Sequence, residues 1–176
     1  MILLIAIDFR GDIDYLRDQI GTRFHSKVDV SINGLDPKPF LNPDRNQFNS
    51  TSIIQRLEKD APSTASKVLA VTSLDLYIPI LTFVFGEARL NGQCAVVSSY
   101  RLDNRSYGLP DNPSLLQERL LKESIHELGH TFGLIHCQNP DCVMKSSTYV
   151  EEIDFKSSRF CLACMDSCAT ALSRLK

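Results

Sequence analysis

Apolar residues along the chain switch between two spacings, and the switches mark out alternating strands and helices. From Leu3 to Phe9 a nearly unbroken apolar run reads as a buried strand. Between Asp12 and Phe24 the apolar positions Ile13, Leu16, Ile20 and Phe24 recur every three or four residues, the spacing of one helical face. Val28 to Ile32 alternates as a second strand, and NGLDPKPFLNPDRNQFNS, rich in Pro, Asn and Gly, reads as a long loop. Ser50 or Thr51 is placed to cap a helix running through Lys59, and SKVLAVTS supplies a third strand. Two strand-like runs then flank Asn91-Gly92, a pair suited to positive φ, which predicts a hairpin and an antiparallel edge to the sheet. After DNRSYGLPDNP, Asn112 or Ser114 can cap a helix reaching Leu134, with Leu121, Ile125, Leu128 and Phe132 as the stripe that faces the sheet.

Strands alternating with helices place the chain in the α/β (α+β) class, and 176 residues fit one domain, 1–176, with a sizeable core. A hydrophobic fraction of 43% and a charged fraction of 23% are ordinary for a globular chain. A net charge of −2, with both signs interspersed, offers no basic stripe for nucleic acid and no polybasic patch for a membrane surface. MILLIAIDFRGD has neither a basic flank nor a small-residue cleavage site, so it reads as a strand and not a signal peptide. No other apolar run approaches the ~20 residues of a membrane helix. A soluble, cytoplasmic monomer is expected, and in a reducing compartment its six cysteines serve as metal thiolates more readily than as disulfides.

One stretch concentrates chemistry: HELGHTFGLIHCQNPDCVM, His126 to Met144. His126 and His130, four apart on the expected helix, project both imidazoles from one face. A third zinc ligand must come from elsewhere, because the continuing helix carries later side chains away. Gly133 can end the helix in the left-handed conformation and return His136 to the same ion. Three protein ligands leave a position for water, and Glu127 is the residue expected to take a proton from that zinc-bound water, whose pKa the metal lowers towards ~7. The expected reaction is hydrolysis of a peptide bond without a covalent intermediate. The competing reading is a metal site without turnover, in a zinc-stabilised module that binds peptides or proteins. His25, near the end of the first helix, is explained by the helix dipole alone.

Cys137 and Cys142, and the closer pair Cys161 and Cys164, have spacings suited to gripping one tetrahedral ion from two sides. With four thiolates no position is left for water, so this second zinc is structural, and two zinc ions are expected in all. Cys168 shares a helical face with Cys164 and could replace one ligand, while Cys94 reads as a small buried hydrophobe. Because Cys137 follows His136 directly, the second ion can steady the first ion's third ligand.

HELGHTFGLIH resembles the extended zinc signature of the metzincin metalloproteases, and CQNPDCVM with FCLAC resembles the archaemetzincins in particular, as do LYIPILTFVFGEAR and CAVVSSYRL. The resemblance covers roughly residues 70 to 168. It implies His126, His130 and His136 as catalytic zinc ligands, Glu127 as general base, and Cys137, Cys142, Cys161 and Cys164 around a second zinc. It also implies Met144 as the methionine of a turn beneath the catalytic metal. The implied fold is a twisted mixed sheet with an antiparallel edge and two main helices, divided into an upper subdomain, residues 1–133, and a small zinc-bound lower subdomain, residues 134–176. By that analogy the segment Thr82 to Gly86 is the edge to which an extended peptide substrate adds. Some metzincins place a metal-binding tyrosine two residues after the turn methionine; here Ser146 stands there, and Tyr149 is displaced from it. Low, selective activity is expected, restrained by a narrow cleft, a short substrate range or weak zinc occupancy.

Overall fold

The computed structural model describes residues 1–32 and 34–173; Asn33 of the expected loop and residues 174–176 of the expected lower subdomain lie outside it. Four parallel strands form the body of the main sheet: β1 (Ile2–Ile7), β2 (Val28–Ser31), β5 (Lys67–Thr72) and β8 (Cys94–Ser98). Strand β7 (Gly86–Ala88) adds antiparallel to β8, giving the order β2-β1-β5-β8-β7. The antiparallel edge anticipated from the hairpin signal is present.

Alternation along the strands sends side chains to two cores. Ile2, Leu4, Leu69, Val71, Ala95 and Val97 face α1 (Ile13–Phe24) and α3 (Pro113–Thr131). Ile7, Val68, Ala70, Cys94 and Val96 face α2 (Ser50–Asp60) through Ile53, Ile54 and Leu57. The helices therefore cover both faces, as a parallel sheet requires. The expected stripe of α3 is buried throughout, with Leu121, Ile125, Leu128 and Phe132 all in the core. Caps set where the helices begin: the side chains of Asp12, Asn49 and Asn112 accept from the backbone N–H groups of Tyr15, Ser52 and Leu115.

Several details differ from the sequence reading. The long loop contributes β3 (Leu41–Asn42) and β4 (Gln47–Asn49), turned through Asn46 at φ 50°, to a small second sheet that β6 (Leu76–Tyr77) completes. Its strands are too short to show an alternating pattern. Between β7 and β8 the positive φ falls on Asn91 (54°), within a turn in which the Gly92 N–H reaches Arg89 O. Helix α3 stops at Thr131, three residues before Leu134, and α4 (Val150–Phe155) and α5 (Leu162–Ser173) bring the α-helices among the described residues to five. His25 is the left-handed C-cap of α1, its backbone N–H bonded to Gly21 O.

Candidate active site and metal centres

Helix α3 carries His126 and His130, and its end determines where His136 can go. Gly133 takes φ 88° and donates its N–H to His130 O at 2.9 Å, while the Leu134 N–H reaches Gly129 O at 3.1 Å. This pair of bonds satisfies the last helical carbonyls and reverses the chain. The His136 ring returns to 5.4 Å from that of His126 and 5.0 Å from that of His130, centroid to centroid. Ligand atoms of the three histidines all lie within 4.8 Å of one another.

Two backbone carbonyls fix the tautomers. His126 Nδ1 donates to Val143 O at 2.8 Å, and His130 Nδ1 donates to Leu134 O at 2.7 Å, because a carbonyl can only accept. Both Nε2 atoms are therefore left as lone-pair donors, and they face each other at 3.0 Å. Two lone pairs at that distance repel unless a cation lies between them. Zinc with Zn–N near 2.05 Å sets its tetrahedral ligands about 3.3 Å apart, so the donor set fits zinc. Burial first, and then Lys156 and His130, drive the His126 pKa well below the ordinary histidine value; burial also lowers that of His130. Neutral imidazoles are what metal binding needs.

Glu127 is buried beside this group. Burial pushes its carboxyl well above the ordinary range, Glu123 and Glu87 add to the rise, and Lys156 opposes it. Room for its side chain depends on Gly86 of β7: a Cβ there would stand 2.6 Å from Glu127 Cγ and 2.8 Å from Oε1. Beneath the helix, Met144 is fully buried with its sulfur against Gly129, at a distance no Cβ on that glycine could tolerate. A thioether thus packs under the turn of helix between the two histidines.

The four cysteines form the second cluster. Cys137, Cys142, Cys161 and Cys164 have sulfurs within 4.8 Å of one another, and Cys137 Sγ to Cys161 Sγ is 3.7 Å. A disulfide would be near 2.05 Å, whereas Zn–S bonds of 2.3 Å set tetrahedral sulfurs about 3.8 Å apart. Backbone N–H groups of Asn139 and Cys161 donate to the sulfurs of Cys137 and Cys142, as suits thiolates. Cys168 lies outside this group, and burial pushes its thiol up to about 11. Cys94 is buried in β8, its thiol likewise pushed up to about 11 by burial.

Both the histidines and Glu127 open onto a cleft of about 770 Å³. Residues 81–88 of the sheet edge line one side, and Ser146, Ser147, Thr148 and Tyr149 line another. The expected edge segment is only partly strand: Val84 bridges Leu76, and β7 begins at Gly86. Arg45 and Gln47 already occupy the carbonyls of Leu81 and Thr82, and Leu76 O holds the Val84 N–H, which moves the available edge to Gly86–Ala88. Ser146 and Tyr149 are exposed on the wall of the same cleft.

Four contributors went unread in the sequence. Gly86 and Gly129 could have been suspected, since glycine inside a strand or helix often marks close approach. Lys67 and Lys156 carried no signal. Lys67 Nζ donates to Gly92 O and Thr131 O, tying the β7–β8 turn to the end of α3, while the Asn91 N–H donates to His130 O at 2.9 Å. Lys156, its side chain 1% exposed, contacts Glu123 at 2.8 Å.

Comparison with known proteins shows the family to which the chain belongs. The model of peptidase family M54 matches residues 26–170. An archaemetzincin of Methanocaldococcus jannaschii is 41% identical over 175 residues, covering 94% of this chain and 92% of its own. The crystal structure of the Methanopyrus kandleri archaemetzincin superposes with a TM-score of 0.85 at 36% identity, covering 98% of this chain and 95% of that one. A zinc-dependent peptidase from Methanocorpusculum labreanum superposes with a TM-score of 0.84 at 30% identity, covering 96% of this chain and 100% of that one. Among the described residues no helix is long and apolar enough to cross a membrane. The chain belongs to peptidase family M54, the archaemetzincins, and is a zinc metallopeptidase.

Proposed function

We propose that His126, His130 and His136 hold the catalytic zinc, that Glu127 is the general base, and that Cys137, Cys142, Cys161 and Cys164 hold a second, structural zinc. Residues 1–133 and 134–176 then act as the upper and lower subdomains of one catalytic domain, a cytoplasmic monomer without nucleic-acid or membrane partners. The substrate is a peptide or protein segment lying extended along Gly86–Ala88, where β7 pairs on one side only. Zinc, when bound, supplies a lowered water pKa and a polarised substrate carbonyl.

Glu127 takes the proton of the attacking water and returns it to the leaving amine. Gly86 leaves its side chain room at the cleft wall. Val143 O and Leu134 O keep His126 and His130 in the tautomer that presents Nε2. The single observation that carries this reading is the buried Glu127 carboxylate lining the cleft beside two Nε2 lone pairs 3.0 Å apart. A zinc-stabilised binding module would have no use for that carboxylate.

The test is Glu127→Gln, measured for zinc content and for turnover of a peptide library. Zinc should stay at the parent level while kcat falls by roughly 10² to 10⁴, the usual contribution of general acid-base catalysis. Parental turnover in that variant would remove Glu127 from the mechanism.

A further inference from the structure

The edge strand β7 is three residues long, and its side chains divide between two faces. Gly86 and Ala88 face α3, the first beside Glu127 and the second against the core on that side, and neither has a side chain that can hydrogen-bond. Glu87 points the other way, to the first turn of α2. Its Oε2 accepts from Ser50 Oγ at 2.5 Å, and Thr51 Oγ1 lies 2.9 and 3.0 Å from its two carboxylate oxygens. Asn49 caps the helix, which leaves both hydroxyls free to donate to this carboxylate. The dipole of α2 favours a negative group at the same end.

Ladder geometry assigns the backbone groups of the same three residues. Glu87 lies opposite Val96, and on either side of that pair the Ser98 N–H donates to Phe85 O and the Arg89 N–H to Cys94 O. Bonded and non-bonded pairs alternate in an antiparallel ladder, so Glu87 bonds to β8 while Gly86 and Ala88 turn their N–H and C=O groups away from it. Those outward groups are the ones an added peptide strand meets. Glu87 supplies none of them, yet it sits between them and is held on two sides, by Val96 through the main chain and by α2 through its carboxylate. Other anchors lie outside the strand. Arg45 and Gln47 hold the carbonyls of Leu81 and Thr82, and Arg89, its side chain 52% exposed, pairs with Glu58 where solvent weakens the tie.

We propose that Glu87 is a positioning residue for substrate. Through Ser50 and Thr51 it locks the edge strand to α2, and so fixes where Gly86 and Ala88 present their main-chain donors and acceptors to an incoming peptide. It touches no reacting atom. Without the lock, a peptide must order the strand as it binds, and that cost is subtracted from its affinity. The cost falls equally on ground state and transition state, so it appears in KM and not in kcat. This assignment rests on the peptidase reading of the cleft.

The experiment uses the full zinc-loaded chain. A peptide library is digested by the parent, the best-cleaved peptide is taken for kinetics, and retention of the library on immobilised Glu127→Gln reads binding without turnover. Glu87→Ala should raise KM about 10-fold, the scale of losing hydrogen bonds to a charged group, with kcat within about threefold of the parent. The paired change Ser50→Ala with Thr51→Val leaves Glu87 in place and should raise KM to a similar extent, and adding Glu87→Ala to it should do little more. A copy of the peptide N-methylated along its main chain should bind the parent weakly and lose nothing further in either variant. Parental KM in Glu87→Ala overturns the assignment, whether or not Tm falls, as does a loss carried by kcat alone or full additivity of the two changes. No cleavage of any peptide by the parent would sink the peptidase reading. Retention would then decide the role of Glu87, and equal retention by Glu127→Gln with and without Glu87→Ala would remove that role as well.

Discussion

A methyl group at position 86 is the smallest change that should separate chemistry from metal binding. In Gly86→Ala the new Cβ would stand 2.6 Å from Glu127 Cγ, 2.8 Å from Glu127 Oε1 and 2.8 Å from Val96 O. Carbon atoms pack comfortably at 3.5–4.0 Å, so the Glu127 contact must open by about 1 Å. Val96 O belongs to the backbone of the central strand β8, which pairs on both sides and cannot retreat. The displacement falls on the Glu127 side chain or on the short edge strand β7. A shift of 1 Å in a catalytic group costs up to about 10²-fold in rate. Overpacking of this kind costs roughly 1–3 kcal/mol of stability, which for a chain of this size is about 2–12 °C in Tm.

None of the three histidines is among the nearest atoms to this methyl, so zinc content should equal that of the parent. Turnover of a fluorogenic peptide at saturating and limiting substrate, with zinc quantified on the same samples and Tm by calorimetry, separates the terms. The expected result is a fall of about 10²-fold carried by kcat, full zinc, and a modest loss of Tm. Parental kcat with parental zinc would refute the argument that Gly86 makes room for a working Glu127. A rate loss matched by an equal loss of zinc would show that the methyl acts through the metal site instead.

Three other outcomes are expected from contacts elsewhere in the chain. Cys161→Ser or Cys164→Ser should reduce bound zinc from two ions per chain to one and lower Tm; both variants melting and binding zinc like the parent would end the four-thiolate assignment. Met144→Leu should cost under ~1.5 kcal/mol, while Met144→Ala should cost ~2 to 5 kcal/mol and speed zinc loss, as read by dissociation into a chelator. The Arg105 guanidinium holds the Asp103 carboxyl below its ordinary value, so its contribution is complete above about pH 4 and is lost as pH falls through the lowered folded value. Asp103→Asn should accordingly melt below the parent at pH 7, with a gap that narrows on acidification; a gap constant down to pH 2 would show that the carboxylate is not its source.

Local periodicity made α1, α3 and the parallel strands readable, because each buries one face or both against a single continuous partner. The cap of α2 lies one or two residues before the expected one for a tertiary reason. Ser50 and Thr51 are good caps in isolation, but their hydroxyls go to Glu87, and Asn49 caps the helix instead. That the three histidines come together, and the four cysteines likewise, was legible because their spacing is itself a local signal. Lys156 was invisible for the opposite reason. It lies 33 residues from Glu123, and nothing in its neighbourhood distinguishes it from a solvated lysine until the end of α4 packs against α3. Gly86 is an intermediate case, a glycine in a strand whose meaning depends on which side chain crosses it.

The two clusters are joined more tightly than adjacency of His136 and Cys137 requires. The Cys137 N–H donates to Met144 O at 2.9 Å, and the Val143 N–H donates to Arg159 O, just ahead of the Cys161 pair. Val143 O in turn accepts from His126 Nδ1. The Cys142–Met144 segment therefore contributes a cysteine of the proposed structural site at one end, a packed thioether at the other and, between them, the carbonyl that sets the His126 tautomer. Any loosening of the thiolate site frees that carbonyl to move, and a His126 ring without its acceptor can present the wrong nitrogen. Helix α3 supplies two histidines by itself, but their orientation is held from the segment that the cysteines tie down. Metal lost from the cysteines should for that reason weaken metal on the histidines, whereas metal lost from the histidines leaves the cysteines' own backbone donors from Asn139 and Cys161 in place.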